Sequence, residues 1–312
     1  MARLPVIIIH LGSPVPSFVR TSVAQVRRVS DEAPILIGPV RGARLSSASL
    51  DRFRRIERLS SMGLTGFWRY ACERFFVLEE AMRRARIDRC LHIESDNLLY
   101  VAPSELDAWL GQVYAAGIAQ CPLTNDEDTA SVLYAGSLSA LSRFNAALLD
   151  LVALRQDELL RVYGGAMGHE MRMINILRVE QGLAGALPTT ADRAKELNSR
   201  YIFDPASYGQ QVDGISAKPG VPYAGDHHVV GREILNGNYR VLWDAQQLRP
   251  LVQVADGTEE YRLANLHIHS KRLGRWATES NPVPGGVRRP VTHRAVGLGV
   301  EIVRAVSRRV KR

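Results

Sequence analysis

The chain is predicted to be an α/β protein with a mixed, mostly parallel sheet flanked by helices. Three observations carry that expectation. Short β-branched runs stand at Val6-Ile7-Ile8-Ile9 and Ile35-Leu36-Ile37, apolar residues recur at helical spacing between and after them, and the apolar run from Cys90 to Ile93 ends abruptly in Glu94-Ser95-Asp96. Strands that alternate with helical crossovers imply parallel pairing, and such sheets bind ligands beyond the carboxyl ends of their strands.

Taken in order, the Val6 run is closed by Gly12 and Pro14, and Val19, Val23, Val26 and Val29 then mark a helix. The Ile35 strand ends at Gly38-Pro39. Trp68, Ala71, Phe75, Leu78 and Met82 form one stripe of a long helix that feeds the Cys90 strand. Ser104 is expected to cap a helix, Ser131 to Ala135 to form a strand, and Ser137 to Ala153 and Met171 to Val179 to be helical. Pro205 to Gly237 is rich in Gly, Pro, Asp and His, so it is expected to be an irregular lid over a site. Leu263 to His269 reads as a short final strand. The domain is expected to occupy residues 1–280, followed by a Pro- and Gly-rich linker and a basic amphipathic C-terminal helix within 281–312.

Composition narrows the class. With 312 residues, 46% hydrophobic and 23% charged, the chain reads as an ordinary globular protein. No apolar run approaches the roughly 18 to 20 residues of a membrane span, and the Val6 run is too short for a signal-peptide core, so a cytoplasmic location is expected. Cys72, Cys90 and Cys121 lack metal-binding spacing and fit a reducing compartment. The net charge of +8 belongs to the tail: residues 288–312 hold eight basic residues and one acid, and the rest holds 32 bases and 31 acids. A nearly neutral body without a recognisable module argues against nucleic acid as a partner.

Several motifs are excluded directly. No Gly-rich dinucleotide fingerprint follows the first strand, and no phosphate loop ends in Gly-Lys-Ser or Gly-Lys-Thr. His169-Glu170 fails as a zinc-protease motif because Met173 stands where the second histidine belongs. The adjacent pair His227-His228 is given no role.

Two constellations remain. Glu94 and Asp96, one residue apart where a strand leaves the sheet, can hold a hard divalent cation and through it a diphosphate. Near the C-terminus, His267, His269 and Lys271 alternate, so a continuing strand would project all three to one face. One imidazole could complete the ion's coordination beside Asp96, and Lys271 could neutralise a phosphate oxygen. Arg74 lies at the edge of its helix's buried stripe, where its fork could pair with a phosphate or with an acid of the motif.

The order of these motifs resembles that of metal-dependent glycosyltransferases of the GT-A fold, in particular a bacterial group. The resemblance spans most of residues 5–275. It rests on Phe67-Trp68-Arg69, Glu73-Arg74-Phe75-Phe76, His92-Ile93-Glu94-Ser95-Asp96, Asn125-Asp126-Glu127, Gln156-Asp157-Glu158-Leu159-Leu160, Ile202-Phe203-Asp204-Pro205-Ala206 with Gly209-Gln210, and Leu266-His267-Ile268-His269-Ser270-Lys271. It implies a Rossmann-like sheet and a Mn²⁺ or Mg²⁺ ion. Glu94-Ser95-Asp96 is similar to the DxD motif, with Asp96 as ligand and Glu94 set towards the donor, because its first acid is Glu. His267 and His269 are implied as further metal ligands. Arg74, Lys271, His10 and Gly12 are implied on the nucleotide-diphosphate sugar, and Asp157 or Glu158 as the acid facing a glycan, lipid-linked or small-molecule acceptor. The His-Lys ending is similar to retaining members. A nucleotidyltransferase would use a similar sheet and metal, but the Gly-rich basic loop after the first strand is missing. A non-catalytic nucleotide- or membrane-binding protein is the other alternative, and clustered His267, His269 and Lys271 argue against it.

In the tail, Val296, Val300, Val303, Val306 and Val310 recur at helical steps, with Arg304, Arg308, Arg309, Lys311 and Arg312 around them. This pattern predicts a helix lying peripherally on an anionic membrane face, bound mainly through charge at about 1 kcal/mol per basic residue. Deleting residues 288–312 is expected to abolish co-sedimentation with phosphatidylserine vesicles at low salt. Unchanged sedimentation would refute the membrane reading.

Overall fold

The computed structural model describes residues 4–30, 32–38, 46–59, 66–164, 169–213, 227–244, 249–255, 257 and 259–277. The basic tail, its linker and residues 214–226 of the expected lid lie outside them. Among the described residues no helix is long and apolar enough to cross a membrane.

The first half alternates as expected: β1 (Val6–Ile9), α1 (Ser17–Val29), β2 (Ile35–Ile37), α2 (Ala48–Ile56), α3 (Phe67–Ala85) and β3 (Cys90–Glu94). There follow β4 (Asn97–Leu99), α4 (Pro103–Tyr114), β5 (Ile118–Pro122), β6 (Asp128–Ala135), α5 (Leu138–Ala153), α6 (Gln156–Tyr163), α7 (Glu170–Val179) and β7 (Ala184–Ala186). The last third holds α8 (Ala191–Glu196), β8 (Tyr201–Ile202), α9 (Tyr208–Asp213), α10 (Val229–Leu235), β9 (Tyr239–Asp244), β10 (Arg249–Val254), β11 (Glu260–Leu263), β12 (Asn265–His267) and a 3-10 turn at Leu273–Arg275.

The central sheet has six strands in the order β2-β1-β3-β6-β5-β7. Pairing is parallel throughout except at β6, which runs against both neighbours. Both faces are covered, so β1 is apolar at every position and its side chains divide by parity. Ile7 and Ile9 pack with Phe75, Met82, Phe144 and Leu177 on one face, and Val6 and Ile8 with Val19, Val23 and Leu106 on the other. The same parity sends Cys90 to the first face and Leu91 and Ile93 to the second. Glu94 therefore emerges on the side of α3, the helix that carries Arg74.

A four-stranded sheet, β8-β11-β10-β9, covers a third core around Ile202, Tyr208, Val252 and Ile268, and β12 pairs antiparallel with β4. These pairings correct three expectations. The run from Leu263 to His269 is broken at Ala264, so β11 joins the small sheet while β12 crosses to β4. The described residues of the segment from 205 to 237 include two short helices, α9 and α10, because Asp204 supplies the start of the first and Val230 and Ile234 the buried face of the second. Ser104 does not cap α4: Ala102 holds that position and Pro103 opens the helix, needing no backbone N–H. Ser137 does cap α5, accepting from the Ala140 N–H at 3.1 Å.

Asp204 ties these parts together. Its Oδ1 accepts from the Ser207 and Tyr208 N–H groups at 2.7 and 2.9 Å, and its Oδ2 from those of Gly209 and His267, both at 2.8 Å. The Asp204 carbonyl accepts from Ser131 Oγ at 2.8 Å, and Asn265 Nδ2 donates to Asn97 Oδ1 at 2.6 Å. Gly209 is packed so closely on β12 that any Cβ there would collide with the His267 carbonyl. Gly209→Ala is expected to lower stability by about 1 to 3 kcal/mol, as other overpacked sites do, and to displace His267. A thermal melt and a Mn²⁺ titration check this; an unchanged melting temperature would refute the constraint.

Candidate functional site

Parallel β1 and β3 end side by side, with Ile9 opposite Glu94, and the turn Ser95-Asp96 carries the chain from β3 into β4. Antiparallel pairing sets His267 opposite Asn97, directly beside that turn. Residues 171 apart in the chain thereby meet: the His267 Nε2–H donates to Asp96 Oδ2 at 3.1 Å, and Nε2 lies 3.4 Å from Glu94 Oε2. Ile268 N–H donates to the Asp96 carbonyl at 3.0 Å and closes the corner.

Lys271 arrives by a different route from the one expected. The chain turns after Ile268, with Lys271 N–H donating to the Ile268 carbonyl at 3.0 Å and Lys271 in the left-handed region at φ 62°. A turn, not a continued strand, folds its ammonium back onto Asp96 Oδ2. A lysine in that backbone region is uncommon, and the ion pair gives a reason for it.

Opposite charges are paired within the site. Arg74 reaches from α3 to Glu94 Oε1 with one nitrogen and to Glu170 Oε1 with the other, at 2.5 Å for the second. Burial works against the charged form of Asp96, yet His267 and Lys271 hold its carboxyl well below the usual range. Burial likewise opposes ionisation of Glu94, and Arg74 and His267 overcome it, so its pKa also falls. For His267 the cost of burial is outweighed by Asp96 and Glu94, which raise its pKa. Glu170 ends on the other side: burial dominates over Arg74 and its pKa rises.

Glu94, Asp96 and His267 each offer one ligand atom, and these atoms lie within 4.8 Å of one another. Two carboxylate oxygens and one imidazole nitrogen suit a hard or borderline divalent ion such as Mn²⁺ or Mg²⁺. Two residues stand differently from the expectation. Glu94 lies in this cluster itself, because parity and Arg74 hold it against His267. His269 lies outside the set because the strand has ended: its Nδ1 accepts from Gln210 Nε2 at 3.1 Å, and burial and the neighbouring His267 push its pKa down to about 3.

His10 stands at the mouth of β1, its Nδ1 bonded to Ser95 Oγ at 3.2 Å, and burial lowers its pKa. Gly12 follows it, and a Cβ there would approach His10 Nε2 to 3.1 Å. Both thus border the acidic turn. Asp157 and Glu158 are not brought to it. They open α6 with side chains 72% and 31% exposed, and Arg155 holds both, at 3.7 and 3.3 Å. Glu158 also accepts from the Arg155 N–H at 2.9 Å, the work of a helix cap. Both acids are engaged locally by Arg155.

Sequence reading left Glu170, Asp204 and Gln210 without roles. Glu170 was set aside with the failed zinc motif, although an acid next to His169 at a helix start was the available signal. A charged Asp204 directly after the apolar Ile202-Phe203 was the signal for a buried hub.

No protein-family model matches the chain, and no curated protein matches it. Among solved structures it is similar to a glycosyltransferase involved in the glycosylation of the major capsid of PBCV-1, with 9% identity, coverage of 63% of this chain and 89% of that one, and a TM-score of 0.35. Mouse xyloside xylosyltransferase 1 gives 11% identity, coverage of 59% and 85%, and a TM-score of 0.40. The bifunctional glycosyltransferase WbbM gives 11%, coverage of 60% and 39%, and 0.34. Likenesses of this size carry no statement about activity, and the strand order and the side chains at the acidic turn stand on their own geometry.

An imidazole binds a metal only when deprotonated. Because the pKa of His267 is raised, Mn²⁺ affinity is expected to climb with pH until that raised value is passed, by up to about tenfold per pH unit below it. In the metal-free protein the sign is opposite. The pairing of His267 with the acids stabilises the fold below the ordinary histidine pKa, and that contribution is lost as pH rises through the raised value. Calorimetric Mn²⁺ titrations from pH 5 to 8 check the first statement; a flat affinity would show that His267 is not a ligand.

Proposed function

We propose that the chain is a metal-dependent glycosyltransferase that moves a sugar from a nucleotide-diphosphate donor to a hydroxyl acceptor. The observation that carries this reading is the Glu94, Asp96 and His267 cluster with Lys271 against it, at the carboxyl end of a central parallel strand. Ligands of open α/β sheets bind at such strand ends.

Glu94, Asp96 and His267 would hold the divalent ion, which when bound supplies Lewis-acid stabilisation of the leaving diphosphate. The chain's own groups do the rest. Lys271, 42% exposed on a flexible stem, can turn from Asp96 to a phosphate oxygen and offset charge developing there. Arg74, locked between Glu94 and Glu170, fixes the angle at which Glu94 faces the ion. His10 and Gly12, beside Ser95, border the place where the donor's nucleoside would enter. Retention of configuration is the outcome we favour, which needs no base on the acceptor side. Asp157 and Glu158 are not carried forward as that base, because Arg155 engages them at an exposed helix end. In keeping with the tail's pattern, we place the enzyme at the inner face of an anionic membrane, where a lipid-linked acceptor would be met.

Incubation with Mn²⁺ and a panel of nucleotide sugars tests the class. Slow release of nucleoside diphosphate and free sugar is expected. Release of nucleoside monophosphate and sugar phosphate would identify a nucleotidyltransferase, and no turnover with no binding would leave neither enzyme. Asp96→Ala is expected to weaken Mn²⁺-dependent nucleoside diphosphate binding by more than the roughly 10- to 100-fold typical of an outer-shell change. Lys271→Ala should cost about 1.5 to 3 kcal/mol, the range for a hydrogen bond to a charged group. Calorimetry measures both, and Mn²⁺-dependent affinity retained in Asp96→Ala would overturn the site.

A further inference from the structure

The geometry points to a second binding place, for a saccharide, where the start of α3 meets the start of α7; it rests on the glycosyltransferase reading only in taking that saccharide to be the acceptor. Phe67 and Tyr70 stand three residues apart on one turn of α3, so they form a single patch, and they are 53% and 47% exposed. Between them, Trp68 meets Phe67 edge-on at 5.0 Å and lies flat on the His169 ring at 4.6 Å and 20°. The two exposed rings open a helix whose residues 75–82 are all buried, and together they form an apolar surface that a ligand face can cover.

The polar half of the place is His169. It is buried, and its Nε2 lies 3.0 Å from Glu127 Oε1. Its Nδ1 is buried and has no hydrogen-bond partner among the described residues. Leaving such an atom unpaired is unfavourable, and a ligand hydroxyl would satisfy it. With Nε2 engaged by Glu127, Nδ1 is the ring atom left to exchange a hydrogen bond with a ligand hydroxyl, a group that can both donate and accept. A pyranose offers what this surface lacks: a flat C–H face for the aromatic rings and a rim of hydroxyls for the imidazole and carboxylate. The next residue, Glu170, shares Arg74 with Glu94, which sets this place beside the metal cluster.

Saturation-transfer NMR on the full chain, with EDTA present, against a panel of methyl glycosides and disaccharides tests the inference. Binding is expected without metal, and Phe67→Ala combined with Tyr70→Ala should weaken it about tenfold. Both side chains are exposed, so that variant keeps the fold, which circular dichroism verifies. Glu127→Gln, which disturbs the orientation of His169, should weaken binding several-fold while the aromatic patch stays intact. A panel with no binder, or equal affinity in the double variant, would overturn the inference. A parallel titration with Mn²⁺ and nucleoside diphosphate separates the two readings. Saccharide binding without diphosphate binding supports this place and refutes the glycosyltransferase, and the reverse result overturns only this place.

Discussion

Two carboxylates buried side by side cannot both stay ionised unless positive charge stands within a few ångströms, and the architecture of this protein follows from meeting that demand. Glu94 and Asp96 leave the sheet together. Arg74 from α3 answers the first, and His267 and Lys271 from the far end of the chain answer the second. Loss of any of these partners would raise the pKa of the acid it faces, because burial would then be opposed by less positive charge.

The demand explains why elements so distant in sequence are held so firmly. His267 can serve Asp96 only if β12 stays in register with β4, since a slip by one residue would turn Leu266 or Ile268 towards the acids. Asn97, Ser131, Asp204 and Asn265 form the buried polar network that prevents such a slip. Asp204 accepts from the backbone of both α9 and β12, so one carboxylate ties the start of α9 to the strand that carries His267. Each member is hydrogen-bonded, which makes the network rigid where a half-satisfied one would be a weak point.

Much of the fold was legible from short-range pattern. Helical periodicity located α1 and α3, and unbroken apolar runs located β1, β2 and β3, because a helix against the sheet buries one face and these strands bury both. The acidic turn was legible for the same reason, as charge at the end of a fully buried strand. Elements with weak local pattern were not legible. The breaks at Ala264 and after Ile268, the helices α9 and α10, and the Pro103 start of α4 are set by partners far along the chain.

What the sequence determined by itself was therefore the inventory: a mostly parallel α/β sheet, an acid pair at its edge, and His267 and Lys271 as residues too polar to be filler. Tertiary structure decided which of them meet. It gathered Glu94, Asp96 and His267 into one cluster, left His269 with Gln210, recruited Glu170 through Arg74, and set Glu158 to cap α6 with Asp157 beside it. The physical reason is that spacing along a chain specifies only which face of its own element a side chain takes. Which opposite charge it finds there depends on strand register and turn geometry, and these are settled by burial summed over the whole domain.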